Sequence, residues 1–394
     1  MAETKDIQST DTKLSPAGVE EYDVAIVGGG LAGLALSVQL AKHSHKIILL
    51  EKEQYPFHKV CGEYISLESW DFLVSLGLDL DAMSLPIISR VQVSATNGKL
   101  LDHKLPLGGF GISRFLLDHR LVLIARNAGV VVKENMKVND IIFDQSGFSV
   151  ETSQQSYKAK VVCGSFGKRS NIDIRWKRDF SIAAKNKLNN YIGVKYHIKT
   201  EFPADTIALH NFDNGYCGIV KIEDDKYCLC YLTTANNLHK SKGSVPAMEK
   251  TILAQNPHLK KIFAASKFLY EAPLTISQIS FDKKTQVENH VLMTGDAAGM
   301  ITPLCGNGMS MALHASKIAA GQIKLFLEGG ISRAEMEEQY SRQWNRQFSK
   351  RLKMGRRIQS LFGNKWLTNY FIALVKPFPK LINFLIRQTH GKPF

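Results

Sequence analysis

Three glycines spaced Gly28-x-Gly30-x-x-Gly33 stand between a short β-branched run, Tyr22 to Val27, and a stretch of helical periodicity from Leu31 to His43. In that setting the spacing is one that cradles a pyrophosphate. Gly28 allows the tight turn, Gly30 lets a phosphate approach the backbone, and Gly33 lets helix and strand pack closely. The helix N-terminus, at Leu31 and Ala32, then faces the phosphates. Glu51 closes a second apolar run, Lys46 to Leu50, and Lys52 follows it. A carboxylate there accepts hydrogen bonds from an adenosine ribose and repels a 2′-phosphate, so FAD or NAD is expected rather than NADP. A second glycine segment chooses between them. Thr294-Gly295-Asp296-Ala297-Ala298-Gly299 follows the apolar run Val291 to Met293, and Pro303-Leu304-Cys305-Gly306-Asn307-Gly308-Met309 leads into a helix. Asp296 can bond the polyol chain that FAD has and NAD lacks. Amides from Gly306 to Met309 at a helix start suit the electron-rich edge of a flavin.

Strand, helix and strand within Tyr22 to Leu50 make a βαβ unit, which requires a parallel sheet. Further along, helices are expected over 66–75 and 114–128. A hairpin should turn at Asn97-Gly98, and strands follow around Val130, Ile141, Phe148 and Val161. Residues 181–284 alternate polar and apolar and read as an antiparallel sheet inserted in the first domain. A long helix is expected over 308–327, then further helices broken at Pro377 and Pro379. The fold class is therefore α/β: a Rossmann-type dinucleotide domain (21–180 and 285–330), an antiparallel substrate domain (181–284, with 85–107 contributing), and a basic helical C-terminus (331–394). Residues 1–20 are polar and read as disordered.

These motifs resemble the flavoprotein superfamily of para-hydroxybenzoate hydroxylase, aromatic-ring monooxygenases, flavin halogenases and geranylgeranyl reductases. The resemblance covers roughly Tyr22 to Leu327. It rests on Gly28 to Gly33 with Glu51, on Gly295-Asp296, and on Ile112-Ser113-Arg114 with Leu117-Asp118. It implies FAD, with Arg114 reaching the cofactor and Val138 packing beside the adenine. Pro56-Phe57-His58-Lys59-Val60-Cys61-Gly62-Glu63 is similar to the Lys-x-Cys-Gly segment of the geranylgeranyl-reductase-like branch, which would bring Lys59, Cys61 and Gly62 over the flavin. Pro303 to Met309 is similar to that branch's flavin-facing loop. Gly215-Tyr216-Cys217-Gly218-Ile219-Val220 stands where the branch carries Gly-Tyr-Gly-Trp, with Gly218 in the Trp place and Lys221 in the usual Pro place. Cys163 to Ser170 matches the hydroxylase segment Gly-Ala-Asp-Gly-x-x-Ser, but Phe166 replaces an Asp that serves FAD and NAD(P)H handling. NAD(P)H is thus a candidate electron donor without that support. The halogenase signature Trp-x-Trp-x-Ile-Pro is absent.

The flavin would carry the difficult step. Oxygen-dependent hydroxylation of a bulky apolar or aromatic substrate is the first expectation, and saturation of a prenyl or polyene chain the second. A flavoprotein without turnover that binds through its tail is a third. Cys61, Cys305 and Tyr216 are the candidate catalytic or substrate-contacting side chains, with Tyr231 as a second pocket candidate. His197, His210 and His314 read as structural histidines. No His, Asp or Glu cluster has metal-ligand spacing, so no metal is expected.

The 394-residue chain carries a net charge of +14, from 50 Lys and Arg against 36 Asp and Glu. With 44% hydrophobic and 22% charged residues it is a globular chain rather than a disordered or fibrous one. Six cysteines show no disulfide-framework or zinc spacing, and a reducing cytoplasmic setting fits. From Gln339 to Phe394 there are twelve Lys and Arg and no Asp or Glu. The surplus therefore belongs to a C-terminal segment also rich in Trp, Phe, Tyr and Leu. Two readings stand for such a segment: helices that pack on the dinucleotide domain and leave a solvated basic face, or peripheral contact with an anionic membrane. No nucleic-acid-binding module is present, so nucleic acid is not expected.

Overall fold

A computed structural model describes residues 20–145, 147–182, 191–303, 306–361 and 365–394. Its first sheet has a parallel centre, in the spatial order Val291–Met293, Ser156–Gly164, Glu20–Val27, Ile47–Leu50 and Val131–Lys133. An antiparallel pair, Val138–Asp144 and Gly147–Thr152, attaches beside it. The central strands are buried on both faces, which is why they read as unbroken apolar runs. The helices Leu31–Ala41 and Gly308–Leu327 lie against each other, and the first is almost wholly buried. Arg333–Leu361 packs on Gly308–Leu327 through Met336, Tyr340, Trp344, Phe348 and Leu352.

The second sheet runs in the order Lys267–Phe268, Tyr191–Lys199, Tyr227–Thr234, Gly215–Lys221, Thr206–Phe212, Ile87–Ser94, Leu100–Gly111 and Tyr64–Ser66. Leu274–Ile279 also pairs with Tyr191–Lys199. The hairpin at Asn97-Gly98 forms, with Gly98 at φ 86°.

Two expectations for this region need correction. The sheet is mixed: Thr206–Phe212 runs parallel to Ile87–Ser94, while its other pairings are antiparallel. Alternation reports a half-buried face but says nothing of strand direction. Residues 235–265 also form helices, Ala235–Lys240, Val245–Thr251 and Pro257–Ala265, rather than strands. Local chemistry decides this. The side chains of Ser244 and Asn256 accept from the amides of Ala247 and His258, and a proline stands in the first turn after each cap. These helices cover one face of the sheet with Met248, Leu253, Leu259 and Ile262.

Candidate functional site

The carboxyl ends of the parallel strands converge, and that is where an open α/β sheet binds its ligand. Backbone hydrogen bonds lock the ends in register. Gly28 donates to Leu50 O at 2.8 Å, Ser165 to Val27 O at 2.8 Å, Glu51 to Lys133 O at 2.9 Å, and Thr294 to Gly164 O at 2.9 Å. Gly28, Glu51 and Asp296 are thereby brought to one crevice from three separate parts of the chain.

The glycines fit a pyrophosphate cradle. Gly28 holds φ 103°, and a Cβ there would stand 2.5 Å from Ser165 O. A Cβ on Gly33 would stand 2.2 Å from Gly28 O, so the helix approaches the turn only because no side chain is present. A Cβ on Gly30 would meet nothing closer than 3.9 Å, which leaves its open side to a ligand. Leu31 and Ala32 form the first helical turn above it. The buried Glu51 carboxylate accepts from Gly29 N at 2.8 Å and from Glu53 N at 3.1 Å, while Lys52 projects into solvent. Met136 donates to Glu51 O at 2.8 Å, which seats the buried Val138 two residues along the same segment. Sequence reading missed Tyr55, whose hydroxyl donates to Gly29 O and braces the turn.

On the opposite side, Asp296 accepts no side-chain hydrogen bond from a described residue. Burial raises its carboxyl, and Lys284, Arg114 and Lys168 pull it back. Lys284 itself donates to Asp296 O at 2.8 Å, and burial lowers its ammonium to about 8. A partly desolvated acid with a free acceptor suits a polyol. Gly306 holds φ 64°, its Cβ position 3.1 Å from the Tyr64 ring, and Asn307, Gly308 and Met309 lead into the long helix as expected. Pro303 is exposed beside them. Leu304 and Cys305 lie outside the described residues.

The Lys59-Val60-Cys61-Gly62-Glu63 segment crosses from the first sheet to the second. A Cβ on Gly62 would meet nothing within 4 Å, so this stretch of backbone borders open space. Burial raises the Cys61 thiol, with Arg114 opposing, and keeps it protonated at neutral pH. Arg114 does not project freely. Its guanidinium is bidentate to Asp118 at 2.8 Å, and Lys59 reaches the same carboxylate at 3.0 Å. Burial alone would raise Asp118, but these two cations hold it below its ordinary value.

The largest surprise is Glu63. Sequence reading passed over it, and it is fully buried at φ 55° in the left-handed region that disfavours non-glycine residues. One carboxylate oxygen accepts from Lys195 Nζ and from Arg114 N at 2.8 Å; the other lies 2.6 Å from His197 Nε2. Lys195 also donates to Lys59 O at 3.1 Å. Tyr270 OH lies 2.8 Å from His197 Nδ1 and 3.2 Å from His58 Nδ1, extending the chain of polar groups outward. Burial opposes the Glu63 charge, but His197 and Lys195 hold its carboxyl below the usual range. Burial likewise opposes the Lys195 ammonium, and Glu63 holds its pKa above the ordinary lysine value. His197 is thus part of this knot rather than a lone core histidine. No local signal could have joined residues 63, 195, 197 and 270.

Glu63, His197 and Cys228 bring three potential metal ligands within 4.8 Å. Their atoms are already engaged: Glu63 by Lys195 and His197, and the Cys228 thiol as donor to Cys61 O at 3.3 Å. The adjacent Lys195 ammonium opposes a second cation there.

Tyr216 and Tyr231 separate. Tyr231 turns to the helix-covered face, where its hydroxyl donates to Glu249 at 2.8 Å. Tyr216 joins Leu232, Ile279 and Phe281 on the other face, with Leu209, Met300 and Ile358 packed against them. This apolar cluster joins the second sheet to the loop after Asp296 and to the helix Arg333–Leu361. His210 is a core residue, 2.9 Å from Ser94 Oγ through Nδ1, and burial lowers its pKa to about 3. His314 stacks on Phe394, ring centroids 4.1 Å apart.

Comparison with known proteins agrees with this arrangement. The FAD binding domain family matches residues 21–195. Conditioned medium factor receptor 1 of Dictyostelium discoideum is 26% identical over 370 residues, 84% of this chain and 69% of its own. Digeranylgeranylglycerophospholipid reductase of Methanococcus vannielii is 22% identical over 336 residues, 82% of each chain. Among solved structures, a myxobacterial chondrochloren halogenase described as FAD-dependent is similar with a TM-score of 0.75 at 17% identity, covering 95% of this chain and 94% of its own. Likeness at that identity speaks to the fold alone.

Proposed function

We propose that the chain, which carries an FAD binding domain over residues 21–195, is an FAD-dependent oxidoreductase of the para-hydroxybenzoate-hydroxylase-like type, a monooxygenase hydroxylating a bulky apolar or aromatic substrate. The observation that carries this reading is the apolar cluster of Tyr216, Leu232, Ile279 and Phe281, closed by Leu209, Met300 and Ile358. It joins the sheet to the Asp296 loop, so an apolar ring entering between them would meet a dry, apolar lining.

Bound FAD would supply the redox chemistry and the activation of oxygen. The remaining tasks belong to this chain. Gly28, Gly30 and Gly33 hold the pyrophosphate against a helix start, Glu51 takes the ribose, and Asp296 takes the polyol. The amides of Gly306 to Met309 favour negative charge at the flavin edge. The apolar cluster excludes water, which protects reactive oxygen species from unproductive decay. Lys59, Arg114 and Asp118 fix the Cys61-Gly62 backbone from one side, and Glu63 anchors it from the other.

A second reading, saturation of a prenyl or polyene double bond, is favoured by Cys61. A thiol kept protonated by burial beside a flavin seat can deliver a proton to an alkene carbon as hydride adds to its neighbour. Similarity to the archaeal reductase points the same way. One experiment separates the two. Flavin-loaded protein is reduced, given alkyl-phenol and polyprenyl substrates with and without isotopic oxygen, and the products are weighed by mass spectrometry. One labelled oxygen atom in the product, formed only under oxygen, supports hydroxylation. Gain of two hydrogens under anaerobic conditions overturns it in favour of the reductase.

A further inference from the structure

The last two helices, Lys365–Val375 and Pro379–Thr389, form a hairpin whose two faces are both apolar. The inner face is covered. Ile372, Val375 and Ile382 are buried against Ala95 and Leu101 at the hairpin of the second sheet, with Phe371 and Leu385 packed alongside. Polar contacts fix the docking, with His103 Nε2 2.9 Å from Asn383 Oδ1. The outer face has no such cover. Tyr370 and Leu374 on the first helix, and Phe378, Leu381 and Phe384 at the turn and on the second, are each between 41% and 71% exposed. Their spacing of three or four residues puts each set on one side of its helix.

The charge around this face is of one sign. Lys376 and Lys380 bracket the exposed turn Pro377-Phe378-Pro379, and Arg387 is exposed farther along. Arg342, Arg346, Lys350, Lys353 and Arg357 are exposed along the preceding helix, at a spacing that makes one stripe opposite its buried Trp344, Phe348 and Leu352. No Asp or Glu occurs after Glu338. Bare apolar and aromatic side chains ringed by cations match the interface of an anionic bilayer, where the rings enter the headgroup layer and the ammonium groups meet phosphate. No helix among the described residues is long and apolar enough to cross a membrane, so the contact is a peripheral one.

We propose that the outer face of the C-terminal hairpin docks the protein on an anionic lipid surface, with Phe378 and Phe384 as the inserted side chains. The docking element also touches the functional body. Ile386 packs on the cluster of Tyr64, Leu105, Val220, Ile222 and Cys228, and Cys228 donates to Cys61 O. The lipid-facing helix therefore packs on the same apolar cluster whose Cys228 holds the Cys61 carbonyl. An apolar substrate dissolved in the bilayer would be presented next to its site; this last clause rests on the reading under Proposed function, whereas lipid docking does not.

The test uses the full flavin-loaded chain and vesicles of phosphatidylcholine alone or mixed with phosphatidylglycerol, separated by flotation. The expected result is binding to the anionic vesicles that weakens with salt. Phe378→Ser with Phe384→Ser should lower the partition constant at least about tenfold, and Lys376→Glu with Lys380→Glu should abolish the preference for anionic lipid. All four positions are exposed, and unchanged flavin absorbance and thermal melting confirm that the variants remain folded. Failure of the parent protein to float with anionic vesicles at low salt overturns the proposal. So does equal binding by the serine variant, or a concentration-dependent dimer in place of vesicle binding, which would assign the face to a second copy. Turnover of a soluble substrate without vesicles reports on the enzymatic reading separately.

Discussion

The two sheets treat polar groups in opposite ways. The parallel sheet is apolar across its centre and confines its chemistry to the strand ends, at Gly28, Glu51, Ser165 and Thr294. The mixed sheet packs one face against helices and mixes polar with apolar side chains on the other. Its other face carries Lys195, His197, Cys228 and Cys230 within the strands themselves. In the first sheet the backbone conformation makes the site, so small residues matter most. In the second, side chains make it, and each buried charge must find its partner across the chain. The Glu63 knot is that solution: a carboxylate from the connecting segment neutralises a lysine in the middle of a strand.

The sharpest way to break this contrast is at Gly33. Gly33→Ala puts a methyl group 2.2 Å from Gly28 O, and the expected outcome is purified protein that has lost nearly all bound FAD. Flavin absorbance per polypeptide measures it; full flavin content would show that backbone closeness is not what holds the cofactor.

Next in size is Glu63→Gln, which strands the Lys195 ammonium in a buried site. Loss of about 3–5 kcal/mol in chemical denaturation is expected. Glu63→Leu combined with Lys195→Met should lose less than the single change, because no charge is left without a partner. A double variant as unstable as the sum of its singles would show that the pair does not act as a unit.

The smallest expected effect is in the pH dependence of melting. Glu63 and Asp118 are held below their ordinary values of 4.5 and 3.8, so their contribution is complete above those values and is lost as the pH falls through the folded ones. His210, lowered from 6.5 to about 3 by burial, favours the unfolded chain as acid is added between those two values. Stability should therefore begin to fall below pH 6.5 and steepen below 4.5. Glu63→Gln should flatten the lower part of the curve, and His210→Asn should make the upper part shallower. Parallel curves for all three proteins would remove these groups from the account.

Glycine spacing, the βαβ unit, Glu51 and the Asp296 segment were legible because each depends on residues close in sequence or on a strand-end position that apolar runs announce. The helices over 235–265 are signalled locally by Ser244 with Pro246 and Asn256 with Pro257, but burial of one face gives a short amphipathic helix an apolar pattern that resembles strand alternation. Arg114 was found, but its partner Asp118 was read only as part of a motif. That Tyr231 lies under the helices and Tyr216 on the other face depends on which face the helices cover, and no strand pattern contains that.

The residue order alone therefore determined that this chain holds a dinucleotide at the ends of a parallel sheet, and that its charge gathers at the C-terminus. Those properties are local: phosphate cradles, strand periodicity and charge runs are written over a few dozen consecutive residues at most. Tertiary structure alone decided that Glu63 meets Lys195 and His197, that Tyr216 packs with Ile279, Phe281 and Met300 where sheet and loop meet, and that the last two helices leave one apolar face exposed. Each of these is a meeting of groups distant in sequence, set by which faces are buried when the two sheets and the tail pack together.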